Sequence, residues 1–502
     1  MKSALRPVAW LMVGRALGQA VAFVIPVVLV RTFDPALFGS YKRLFLLYGT
    51  LYGIAQLGLA ESLYFFVPRD PVNAGKLAAN AMLGLAAAGL VCIALLTGAR
   101  TAVATGLGDA GLASLVPWVG LFLAPMLVSS VLEIAMVSRK SHAQAALAYM
   151  GSDLLRAGFL VLPALLFFSL RALLAGAIAF ALARLAATLW WLGKQLGELR
   201  FDRALLRVQL GYALPFALAV TVDMVQANFH QYVVSSRSDA AAFAVYSVAL
   251  LQVPLVDQTA TTTSSVAMVQ MGEAMHHGRP EAVPAIWHDI VYKLAALFFP
   301  LVALLVVAAR EMLALLFTDR YAASVPLFQI ASLGILLFAL QTDSVLRVLA
   351  QTRFFLALNL LRLAVVAALI FPLIARFQLM GAVAATLLAA LVARALALLR
   401  IAQLLHLRPG ALLPWRRLSM AAGASAIAGL CAEGARAAVR WPALPRLIFT
   451  SAVFVLVYAA LARALGMLPP LGPSGWLNWI RGSPDGARAL AKETPCAASP
   501  ES

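Results

Sequence analysis

Apolar residues in this chain come in long runs separated by short polar stretches, rather than in the strict alternation of a half-buried strand. A helix needs about 20 mostly apolar residues to cross a bilayer. By that measure the sequence predicts about fourteen transmembrane helices. They fall over residues 8–30, 43–66, 77–98, 113–137, 143–169, 172–193, 209–234, 240–263, 289–309, 324–342, 354–375, 380–402, 418–438 and 447–466. The run at 240–263 departs most from the pattern, because VDQTATTTSS (256–265) is polar. The start, MKSALRPVAWLMVGR, has the charge of a signal peptide. Its apolar run continues past Val30 without a small-residue cleavage site, so it reads as a retained first span.

The pattern repeats. Ala36, Phe38 and Tyr41 follow the first span, and Ala241, Phe243 and Tyr246 follow the seventh, giving AxFxxY twice, 205 positions apart. Six spans per repeat is an even number, so the two halves have parallel topology, as in transporters built from two like bundles around a central site. The expected fold is therefore all-α and polytopic. Six-helix bundles occupy 1–207 and 208–405, two additional helices lie within 406–466, and a Pro-, Gly- and Ser-rich cytoplasmic tail, read as disordered, covers 467–502.

Composition sharpens this reading. Of 502 residues, 63% are hydrophobic and 12% charged, against about half and about a quarter in soluble domains. That excludes an ordinary soluble enzyme, a disordered scaffold and a disulfide-stapled secreted domain. The net charge of +18 would suggest nucleic acid in a soluble protein. Here the basic residues are scattered between apolar runs, and no nucleic-acid partner is expected. With the N-terminus placed in the cytoplasm, the N-terminus, the even-numbered loops and the tail together collect more Lys and Arg than the odd-numbered loops, led by 193–207 and 400–417.

Recognisable chemistry is sparse. Cys92, Cys431 and Cys496 have no paired spacing, and the histidines form neither HxxxH nor HExxH, so neither a metal nor a cofactor is expected. GLGDAG (106–111) fits GxGxxG, but spans precede and follow it, so it reads as a flexible loop. No phosphate-binding loop, nucleophile elbow or paired-carboxylate signature is present.

The candidate chemistry therefore lies in charges within spans, which are expensive there and usually face a cavity or a partner. Arg15, Arg156, Arg184, Arg347, Arg362 and Arg394 are the basic ones. Glu61, Glu133, Asp153, Asp223 and Asp257 are the acidic ones, and His230 lies one to two turns from Asp223. Arginine keeps its charge at any depth and grips phosphate oxygens with a planar fork. Arg15, Arg156, Arg184 and Arg362 are thus candidates for holding a diphosphate. Asp153 and Arg156, three apart on one helix, can also simply neutralise each other. Glu61, Glu133 and Arg347 lie near span ends, where a long side chain reaches the interface. Asp223 and Glu61 are candidates for ion coupling; a structural hydrogen bond accounts for Asp223 equally well.

Four segments resemble a known family. VVLVRTFDPALFGSYKRLFLLYGTLYGIAQLGLAESLYFF (27–66) is similar to the opening of the bacterial polysaccharide transporters. GYALPFALAVTVDMVQANFHQYVVSSRSDAAAFAVYSVA (211–249), MLALLFTDRYAASVPLFQI (312–330) and GAVAATLLAALVARAL (381–396) resemble its later segments in the same order. The resemblance implies the multidrug/oligosaccharidyl-lipid/polysaccharide exporter superfamily, with two six-helix bundles around a central cavity. It also implies flipping of undecaprenyl-diphosphate-linked oligosaccharide across the inner membrane for O-antigen, capsule or exopolysaccharide assembly. Membrane lipids, a polysaccharide polymerase and assembly proteins would be its partners. Gly14-Arg15-Ala16-Leu17-Gly18 is similar to the S-R-x-L-G motif of the related lipid II flippases, which gives Arg15 the substrate-contacting role by motif. Those flippases carry a second arginine where Val21 stands here, which argues against lipid II itself. Two other functions remain open. One is a cation-coupled exporter of drugs or amphiphiles, which would favour acids in spans 1 and 7. The other is a membrane polymerase or ligase, which would normally carry a large extracytoplasmic loop.

Overall fold

A computed structural model describes residues 18, 21, 23–196, 198–251 and 253–467 of the chain. Among the described residues all regular structure is helical. The chain is a multi-pass membrane protein. Among the described residues, ten helices are long and apolar enough to cross a bilayer, or eleven when the bent pair Pro35–Ala55 and Leu59–Phe66 is taken as one span.

The helices follow the hydropathy runs. α1 is Phe23–Thr32, the described end of the expected first span. α2 (Pro35–Ala55) starts where Asp34 accepts a hydrogen bond from the Leu37 amide (2.7 Å), with Pro35 in the first turn where its missing N–H costs nothing. Leu57 and Gly58 then adopt positive φ and bend the span by 41° into α3 (Leu59–Phe66). α4 (Ala74–Gly98), α5 (Arg100–Gly106), α6 (Val116–Ser129), α7 (Val131–Ser138), α8 (His142–Phe167) and α9 (Leu170–Gln195) complete the expected first bundle. α10 is Arg203–Arg237, followed by α11 (Ala240–Ala249) and α12 (Pro254–His276). α13 (Ala282–Phe317), the broken span α14–α16 (Ser324–Ser332, Ile335–Phe338, Thr342–Val348) and α17 (Thr352–Leu404) come next. α18 (Trp415–Ala438) and α19 (Ala443–Ala464) are the two additional helices.

A continuous 53-residue helix would be about 80 Å long, more than twice the hydrocarbon thickness. α17 avoids this at Gln378 (φ 51°, ψ −132°), which divides it into arms 352–377 and 379–404, close to the expected spans 354–375 and 380–402. Gly381 lets the second arm return against the Leu373 carbonyl, where a Cβ would collide. Of the fourteen expected spans, the first lies mostly outside the described residues. The eighth falls on α11 and α12, which lack the length or the apolarity to cross on their own terms.

Two compact units divide at Val248/Ala249. α10, expected at the head of the second bundle, packs in the first unit and is fastened there at its start. Asp202 caps it, accepting from the Ala204 and Leu205 amides, while Asn80 of α4 exchanges two hydrogen bonds with the Asp202 backbone (2.9 and 3.0 Å). Gln209 donates to the Leu77 carbonyl and to Ser62 (3.2 and 3.3 Å). In the second unit, α13 is the central element, with α12, α18 and α19 packed on it.

A repeat also shows in the backbone, at 210 positions rather than the 205 of the AxFxxY pair. Gly108 and Thr318, Lys140 and Ala350, and Phe168 and Gln378 all have positive φ, and each pair is 210 positions apart. Phe168 ends α8 as Gln378 ends the first arm of α17, and α9 then returns with Gly176 against the Phe159 carbonyl. Each unit thus turns its fifth and sixth spans in the same way. A Gly176→Ala variant must push its methyl into that carbonyl and should lose about 1–3 kcal/mol, read as a lower Tm of the purified protein. Gly193→Ala, where a Cβ meets nothing within 4 Å, should hold the Tm or raise it.

Candidate functional site

The charged groups predicted within spans sort into sealed pairs and less committed side chains. Arg184 on α9 is sealed. Its Nη2 donates to both carboxylate oxygens of Glu133 on α7 (2.8 and 2.9 Å), its Nε to Ser129 (3.2 Å), and its Nη1 to Ser152 on α8. Glu133 is only 2% exposed. This corrects the expectation that Glu133 reaches out to the interface, since the side chain is held inside by a bidentate partner. Little of Arg184 is left for a ligand. Arg394 on α17 repeats the arrangement, donating to Asp343 (2.6 Å) and to Thr342 on α16. In both units acid and arginine are 51 positions apart, and the two pairs are themselves 210 apart. Asp343 is 45% exposed, so the second copy of the pair is open where the first is closed.

Arg156 pairs with Asp153 at 3.3 Å on the same face of α8. The pair is partly exposed, and the Arg156 Nε is buried without a hydrogen-bond partner. Asp153 also reaches the first span, since a Cβ on Gly18 would fall on its carboxylate. Arg362 is half-buried on the first arm of α17. Glu61 sits in the first turn of α3, just past the bend, and its Oε2 is buried without a hydrogen-bond partner. Asp223 is exposed on α10 and Asp257 on α12. The His230 ring bonds to the Tyr246 hydroxyl (2.7 Å). Arg347 is exposed, with its guanidinium over the Phe355 ring (5.0 Å). Arg15 lies outside the described residues. Among the described residues no cluster of three His, Cys, Asp or Glu is placed to hold a metal ion.

Two features were not anticipated. Arg43 on α2 is almost fully buried and donates to the backbone carbonyls of Gly108 (3.2 Å), Ser235 (2.9 Å) and Ser238 (2.5 Å). Asp109 stands 3.8 Å away and also accepts from Ser40. The GLGDAG segment is therefore no flexible loop: Gly108, at φ 78° and tight against the Ser235 carbonyl, anchors α2 to the end of α10. The second feature is in the other unit, where buried Glu311 on α13 receives Arg436 of α18 (3.3 Å) and Arg446 of α19 (3.6 Å). The additional helices are thus fastened to α13 by charge as well as by apolar packing.

Residues 28–326 match the model of the polysaccharide biosynthesis protein family, which covers more than half of the chain. The chain belongs to that family. No curated protein sequence matches this family member. In fold it is similar to the lipid II flippase MurJ in an inward closed conformation, with a TM-score of 0.69 at 11% identity, covering 90% of this chain and 98% of that one. It is also similar to an inward-facing multidrug resistance MATE transporter of the MOP superfamily, with a TM-score of 0.58 at 14% identity over 76% and 94% of the two chains. A MOP superfamily transporter from Pyrococcus furiosus gives 0.55 at 16% identity over 80% and 95%. The fold is thus that of the multidrug/oligosaccharidyl-lipid/polysaccharide exporters, and its structural neighbours are transporters.

The two arginine–acid pairs should differ in stability. Arg184→Met strands a buried carboxylate and should cost about 3–5 kcal/mol. Adding Glu133→Leu should recover most of the loss, as measured by denaturation of the purified protein. Arg394→Met leaves a half-exposed Asp343 and should cost about 1 kcal/mol or less.

Proposed function

We propose that this polysaccharide biosynthesis protein flips undecaprenyl-diphosphate-linked oligosaccharide from the cytoplasmic to the periplasmic leaflet of the inner membrane, with both termini cytoplasmic. The observation that carries the reading is the family match, and the supply of arginine at membrane depth fits an anionic headgroup. No covalent chemistry is involved. The lipid tail stays in the bilayer while the sugar-diphosphate head passes through a polar path. Arg15, Arg156 and Arg362 hold the diphosphate, whereas Arg184 frames the first unit by holding Glu133. Conversion between states must weaken the grip, because a ligand shifts only an equilibrium between states that it binds unequally. The released repeat units feed O-antigen, capsule or exopolysaccharide assembly through a polymerase and its partner proteins.

One observation favours a second reading, a cation-coupled exporter of amphiphiles. The unpartnered Glu61 oxygen beside a broken helix offers a place for a proton or cation to ride, with Asp223 as a further acid. The two readings separate in a strain lacking the protein. Lipid-linked repeat units should accumulate on the cytoplasmic leaflet while the surface polymer is lost. Normal polymer with new sensitivity to cationic dyes would favour export of amphiphiles. In complemented cells, Arg15→Ala and Arg156→Gln should abolish polymer export at normal protein level; unimpaired export by both would remove the diphosphate assignment.

A further inference from the structure

α12 is too polar to count among the helices apolar enough to cross a bilayer. Its 23 residues reach about 35 Å, yet its first half reads PLVDQTATTTSS. One face is buried: Val256, Ala260, Ala267 and Met271 join Trp287, Ile290, Val291, Leu294 and Phe298 of α13 in a single core. Ser264 bonds to Ser344 of α16 (2.6 Å), within the broken span 324–348. α12 therefore packs alongside two apolar spans.

Its other face is exposed and mixed: Val266 and Val269 lie on it, beside a polar stripe. Asp257, Thr261 and Ser265 follow one another at four-residue spacing, with Thr262 beside them. The Thr261 and Ser265 hydroxyls donate back to the Asp257 and Thr261 carbonyls (2.6 and 3.0 Å), which leaves their lone pairs to face outward. Hydroxyls satisfied in this way tolerate lipid; a carboxylate does not. Asp257 stands in the first turn of α12, and a carboxylate turned toward lipid costs up to about 2.5–3.5 kcal/mol at a membrane helix's centre. A placement of Asp257 against water avoids that cost. The helix carries no Lys or Arg, and it adds a second carboxylate at Glu273, so a diphosphate would be repelled rather than bound. Acceptor-rich hydroxyls and a carboxylate without a cation suit the hydroxyl donors of a carbohydrate.

We propose that the Asp257–Thr261–Thr262–Ser265 stripe of α12 lines a water-filled path and receives the sugar head of the lipid-linked substrate, leaving the diphosphate to the arginines elsewhere. This rests on the flippase reading and assigns the carbohydrate its own surface.

The test uses the full chain with Cys92, Cys431 and Cys496 replaced by alanine and shown to restore surface polymer in the deletion strain. Single cysteines are placed at Thr261 and Ser265, with Ala260→Cys and Ala267→Cys as buried controls. Membrane vesicles of both orientations are treated with a charged, membrane-impermeant thiol reagent. The stripe cysteines should react and the controls should not. Lipid-linked repeat units extracted from the deletion strain should suppress the reaction, and undecaprenyl diphosphate without sugar should not. No reaction at the stripe in either orientation would overturn the water path. Reaction that both lipids suppress, or neither, would overturn the carbohydrate assignment, and so would suppression by sodium or protons alone. Thr261→Val should lower polymer export and Thr261→Ser should retain it, which distinguishes loss of a hydroxyl from loss of the fold. If the cysteine-free chain restored no polymer and the deletion strain accumulated no repeat units, the flippase reading itself would fall, independently of the labelling.

Discussion

A charged side chain at membrane depth has no water to return to, so its partner must come from the same chain or from the substrate. That constraint orders this structure. Arg184 is surrounded by Glu133, Ser129 and Ser152, drawn from three helices, and in satisfying one guanidinium the chain fixes how α6, α7, α8 and α9 meet. Arg43 does the same with backbone, tying α2 to the 106–109 turn and to the end of α10 through three carbonyls. Glu311 binds α18 and α19 to α13. In a bilayer, lipid tails are as apolar as leucine, so burial alone gives helices little reason to choose one neighbour over another. These polar ties supply the choice.

The constraint also explains which features survive in both halves. Acid and arginine recur at the same spacing in each unit, and the positive-φ residues that end helices recur in step with them. What differs is the surroundings. Glu133 is enclosed, whereas Asp343 stays half exposed with Thr342 sharing its arginine. A closed pair resists change, because separating it strands a charge. An open pair exchanges partners at little cost. The first unit thus holds this pair as a closed contact and the second holds its counterpart as an open one.

Much of this was legible in the sequence, because hydropathy runs fix the existence of spans and α17 divides close to where the polar break indicated. The AxFxxY pair pointed to a repeat at 205 positions, and the positive-φ residues recur at 210. Other parts were not legible, for particular reasons. Glu133 near a span end looked free to reach the interface, and only the returning α9, 51 positions later, brings Arg184 onto it. The matching spacing of Asp343 and Arg394 was the available signal. Arg43 sits at the outset of a span, where a basic residue ordinarily meets water, and its acceptors are backbone carbonyls that leave no trace in side-chain patterns. GLGDAG looked loose because glycine permits motion, yet Gly108 is there for close approach to Ser235.

The polar stretch 256–265 shows how the same constraint separates structure from function. As a span it was the weakest of the fourteen, and the weakness is itself informative. A helix whose only task is to cross would gain from replacing Asp257 and its threonines with leucine. One face of α12 has done so, with Val256, Ala260, Ala267 and Met271 packed into the core around Trp287. The other face carries Val266 and Val269 but keeps Asp257, Thr261, Thr262 and Ser265. The sealed charges of the first unit hold helices together and are used up in doing so. The exposed groups of α12, and the partly committed Arg156 beside Asp153, retain bonding capacity that the chain itself does not consume. In a membrane that residual capacity is expensive to maintain without a ligand, and the proposed flippase reading gives it one: a substrate with an anionic diphosphate and a hydroxyl-rich sugar calls on both kinds of group.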